Sequence, residues 1–151
     1  MEDKRKVVII GAARGTSAII NGTEYYFLYD GDVIFRIQDE FGACVLPELS
    51  PIKPGGAANI LRVSEILTEQ AALKGKKYGI DDLPVFKSDE FKMSDVMPYM
   101  YMDLQRACMD AANIGFEREI QEDDEEIDLI LLKHQKKTDT SEQSTSTTEN
   151  P

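Results

Sequence analysis

Asn21-Gly22 stands between two β-prone runs, "SAII" and "TEYYFLYD", and it constrains the chain more than any other feature. Both residues tolerate the positive φ that a type I′ turn demands, so an antiparallel hairpin is expected there. Alternation along the second strand then sends Tyr25, Phe27 and Tyr29 to one face and Tyr26 and Leu28 to the other. A β-branched run from Lys6 to Ile10 predicts a further strand upstream. Three short strands are expected, the last two forming the hairpin.

The hairpin decides how "VVIIGAARGTS", residues 7 to 17, is to be read. Alone, the stretch resembles a first strand and phosphate loop, with Asp30 near the place of a ribose-binding acid. A phosphate loop must run into a crossover of a dozen or more residues before the chain returns parallel. Only five residues separate Gly15 from Asn21, and two of them, Ile19 and Ile20, stand where close helix packing would want a small residue. Strand and loop are therefore expected, with no cofactor. A small nucleotide-dependent enzyme using "GAARG" is kept as an alternative.

Helical periodicity follows. Asp30 or Asp32 can cap a helix bearing Val33, Ile34, Ile37 and Phe41 on one stripe, with Gly42 as its stop. Three prolines and two glycines make "ACVLPELSPIKPGG" a connection. A second helix is predicted from about Ala57 to Lys74, ended by Gly75, and residues 75 to 93 read as a structured loop. A third helix begins between Ser94 and Pro98 and carries the stripe Met97, Tyr101, Leu104, Cys108 and Ala111, closing at Gly115. The fold class is α+β: a short N-terminal antiparallel sheet followed by about three helices.

Beyond Phe116 the composition changes. The net charge of −11 divides into −4 over residues 1 to 116 and −7 over residues 117 to 151. A domain at 1–116, an acidic segment at 117–137 and a disordered polar tail at 138–151 are expected. Phosphate backbones would repel such a chain, so nucleic acid is not an expected partner. No apolar run reaches the roughly 18 residues of a membrane span, and no secretory leader is evident. Cys44 and Cys108 are far apart, without a CxxC and with His134 the sole histidine, which gives no metal site and suits a reducing cytoplasm.

Catalytic constellations are not evident. The run Glu122 to Glu126 lacks the alternating ligands and glycine of a calcium loop and reads as a solvated charge run. Asp81-Asp82 and Asp89-Glu90 read as solvated loop acids, and His134 has no nucleophile arranged beside it. Two apolar features do ask for explanation. Five of six methionines lie in or beside the third helix; Met97 fits core filling, whereas Met100 and Met102 lie partly off the stripe and are candidate partner-binding residues. In "IDLILL", Ile127, Leu129, Ile130, Leu131 and Leu132 cluster within charged sequence, where they either bind a partner or fold back on the domain.

Joined together, "INGTEYYFLYDGDVIFRIQDEFG", "NILRVSEILTEQAALKG" and "SDVMPYMYMDLQRACMDAANIGF" resemble the tail assembly chaperones of long-tailed bacteriophages and prophages. The resemblance spans residues 17 to 116. The strand at residues 6 to 10 and everything after residue 116 depart from the pattern. It implies a non-enzymatic protein that binds the long hydrophobic tape measure protein, keeps it soluble while tail tube subunits polymerise, self-associates, works in the host cytoplasm and is absent from the finished virion. It also implies that this chain corresponds to the short form of a frameshifted pair, with Lys136-Lys137 compatible with a slippery codon run. An adapter carrying the acidic-flanked "IDLI" as a strand-adding motif for small ubiquitin-like modifiers is the remaining alternative.

Overall fold

The computed structural model describes residues 4–42 and 45–134. The tail expected at 138–151, Lys136-Lys137 and Cys44 lie outside the described residues.

The protein is α+β, built on a four-stranded mixed sheet of order β3-β2-β1-β4. Strand β1 (Lys6–Ile10) pairs antiparallel with β2 (Ala13–Ile20), and β2 pairs antiparallel with β3 (Thr23–Leu28). Asn21 and Gly22 both take positive φ, 52° and 85°, and Ile20 faces Thr23 across them. The expected hairpin is therefore present. Strand β4 (Glu125–Asp128) lies parallel to β1, with Val8 opposite Ile127.

"GAARG" supplies a turn and the start of a strand. Gly11 and Ala12 form a two-residue loop with Ile10 opposite Ala13, and Gly11 has a φ of 63° beneath the Tyr78 ring, where a Cβ would collide. Gly15 lies inside β2 opposite Leu28, and a Cβ there would strike the Phe27 carbonyl. Both glycines are thus explained by backbone geometry. Strand β2 begins four residues before "SAII" because the turn comes earlier than the sequence pattern indicated.

Helix α1 (Gly31–Phe41) is capped by Asp30, whose Oδ1 accepts from the Val33 amide at 3.2 Å, and Val33 and Ile37 are buried. Helix α2 (Gly56–Lys77) runs past its expected stop. Gly75 is an interior position: its carbonyl accepts from Tyr78 and Ile80, and a Cβ would crowd the Ile80 carbonyl and Leu83. Within the expected loop at 75–93, a single-turn helix α3 (Ser88–Lys92) is pinned by buried Phe91. Helix α4 (Pro98–Phe116) starts at its proline. Met97 is not on its stripe, because a residue preceding proline is driven to extended backbone, here φ −109° and ψ 152°. Ser94 does not cap this helix; its hydroxyl donates to the Phe91 carbonyl.

The two faces of β3 separate as expected. Tyr25 and Phe27, with Tyr29 just past the strand, join Ile60, Val63, Leu67, Leu104 and Cys108 in the main core between sheet and helices. Leu28 and Tyr26 face the other way, with Val8, Ile10, Ala71, Ile80 and Leu129. An edge-to-face relay, Tyr25 to Phe86 at 5.6 Å and Phe91 to Tyr101 at 5.6 Å, ties the hairpin to α3 and α4. The boundary expected near residues 116 to 120 falls between α4 and a strand that joins the same sheet.

Candidate partner-binding surface

Arg5 positions the C-terminal segment. Its guanidinium donates to Glu117 at 2.6 and 2.7 Å and to Asp124 at 2.6 and 3.0 Å, engaging both carboxylates bidentately. Asp124, with a side chain only 3% exposed, also accepts from the Gln121 amide. These hydrogen bonds hold both carboxyls below the usual carboxylate range and raise Arg5 further. Alongside, the Glu125 amide donates to the Arg5 carbonyl at 2.9 Å, which starts the parallel pairing. Arg14 reaches the Glu117 carbonyl from the neighbouring strand.

This arrangement divides the apolar cluster. Ile127 sits in β4, half-buried, while Leu129 is buried and Ile130 packs beside it. Leu131 and Leu132 remain 57% and 41% exposed. The first three have folded back on the domain, and the last two have not. "IDLI" is no free extended motif: residues 129 to 134 are helical, and Asp128 caps that turn by accepting from the Ile130 and Leu131 amides, each at 3.1 Å.

The methionines divide as well. Met100 and Met109 pack against the core. Met93, Met97 and Met102 are 88%, 60% and 44% exposed around the α3–α4 corner. Exposed Tyr99 belongs to the same corner, and the sequence reading missed it. Its signal was present: a residue just after Pro98 in the first turn, out of phase with the Leu104–Cys108–Ala111 stripe.

The other sequence candidates are not brought together. Asp81, Asp82, Asp89 and Glu90 are all exposed. Among the described residues no group of three or more His, Cys, Asp or Glu is arranged to hold a metal ion. Asp30 uses its oxygens for the Val33 amide and for Gln70 Nε2 at 2.9 Å, so it serves the α1 N-terminus. No crossover helix follows Gly15, so the backbone lacks the strand–loop–helix context of a phosphate site there. Cys108 is buried 3.5 Å from Ser64 Oγ, and burial pushes its thiol up to about 12.

No family model, curated protein or solved structure matches this chain. Among the described residues no helix is long and apolar enough to cross a membrane.

Proposed function

We propose that this protein is a tail assembly chaperone of the long-tailed phage type, a non-enzymatic holder of a tape measure protein in the host cytoplasm. The observation that carries the reading is the corner where Met93, Met97, Tyr99 and Met102 stand in solvent beside a closed core. Unbranched thioethers conform to many apolar shapes, which suits a client presenting a long and varied apolar sequence. The resemblance over residues 17 to 116 supports the same role and supplies the client. Exposed Leu131 and Leu132 extend the apolar surface available, and a net charge of −11 keeps a loaded complex dispersed. Weak contacts repeated by many copies along one client add through multivalency, with the tail tube protein as a second partner.

Co-expression with the tape measure protein encoded beside it should raise the client's soluble yield several-fold and permit its recovery in a pull-down. The double variant Tyr99→Lys, Met102→Lys, altered only at exposed positions, should remain folded and lose most of that gain. An unchanged client yield with the native chain overturns the assignment.

A further inference from the structure

We propose that the outer edge of β4 is a docking site that accepts an extended apolar segment flanked by lysine or arginine, taken from another protein as a fifth strand. Among the described residues, sheet order leaves β4 with one neighbour, β1. Because the Glu125 amide is spent on the Arg5 carbonyl, parallel alternation turns Ile127 toward β1 as well. The amide and carbonyl of Glu126 and the amide of Asp128 are left facing the open edge, while the Asp128 carbonyl begins the helical turn at residues 129 to 134. Beside that edge runs an open groove of about 460 Å³ lined by Ile9, Glu126, Ile127, Asp128, Leu131 and Leu132. Unpaired backbone, an apolar floor and exposed leucines are what strand addition uses.

Charge selects the occupant. Three of the four β4 residues are acidic, and Glu122 and Asp123 precede them. A second copy would bring the same acidic strand against this one, placing like charges opposite each other. Residues 135–151 carry no apolar side chain apart from Pro151, so their sequence does not offer the alternating apolar residues that the groove calls for. An incoming strand with alternating apolar residues and basic ends satisfies backbone, groove and rim together. Such a segment serves whichever protein carries it, so the site does not depend on the tape measure reading.

The test uses the full chain and two fluorescent peptides with the same core of alternating valine and threonine, one ended by lysine pairs and the other by glutamate pairs. Anisotropy should show the lysine-ended peptide binding at least tenfold more tightly, with affinity falling as salt rises. Glu126→Pro removes an outward amide without touching the β1 ladder and should weaken binding at least tenfold, with the circular dichroism spectrum unchanged. Leu131→Lys, on the exposed helical turn, should weaken it independently and carries the test should the proline variant unfold. Equal binding of the two peptides, or binding retained in both variants, overturns the site. So does dimerisation through β4 in place of peptide binding.

Discussion

Asp30 shows how one residue's surroundings decide its role. An acid some fifteen residues past a glycine turn could hold a ribose, but here one oxygen caps α1 and the other accepts from Gln70, with Lys74 Nζ 3.7 Å away. Asp30→Ala should therefore cost about 1–2 kcal/mol by urea denaturation, the range of a lost cap, and Asp30→Asn much less. Gly15 teaches a similar lesson. It reads as part of a nucleotide fingerprint, yet its lack of a side chain is needed where the Phe27 carbonyl comes close. Which atom will crowd a glycine depends on strand register, and register is not written at the glycine itself.

At the scale of elements, what was legible is what is local. The hairpin and α1 could be placed because turn chemistry, cap and stripe all lie within a few residues. Helix α3 and strand β4 could not. Helix α3 is one turn long, and Phe91 pins it against α4 through Tyr101. Strand β4 reads "EEID", with no alternation to mark a buried face, and owes its position to Arg5, 119 residues away from Asp124. The Met97 expectation failed because the backbone constraint of Pro98 overrode a good helical spacing. The candidate surface was legible in part: Met102, Leu131 and Leu132 are exposed as a binding role requires, while Met100, Leu129 and Ile130 serve packing. The Arg5 clamp also has a pH signature. Glu117 and Asp124 have folded pKa values below their unfolded ones. Their contribution is therefore complete above the unfolded carboxylate range of about 4 and is lost as pH falls through the lower folded values. Arg5→Ala should lower Tm at pH 7 by on the order of 5 °C and flatten its decline below about pH 4, as read by thermal melts across pH.

For the whole molecule, charge and surface pull in opposite directions. Apolar groups at the α3–α4 corner favour association, whereas a net charge of −11 opposes bringing copies together. Screening shortens the reach of that repulsion from about 30 Å at 0.01 M salt to about 3 Å at 1 M. Mean mass by light scattering should therefore rise with ionic strength, as an array-forming holder requires; a mass that falls as salt is added would count against it. The parallel pairing of β1 with β4 sets a delay during synthesis. At roughly 5–20 residues per second, the 119 residues after Arg5, up to and including Asp124, take roughly 6–24 s to emerge from a ribosome. Throughout that interval β1 offers a bare flank to whatever neighbouring nascent chain arrives, and only the acidic strand β4 shuts it.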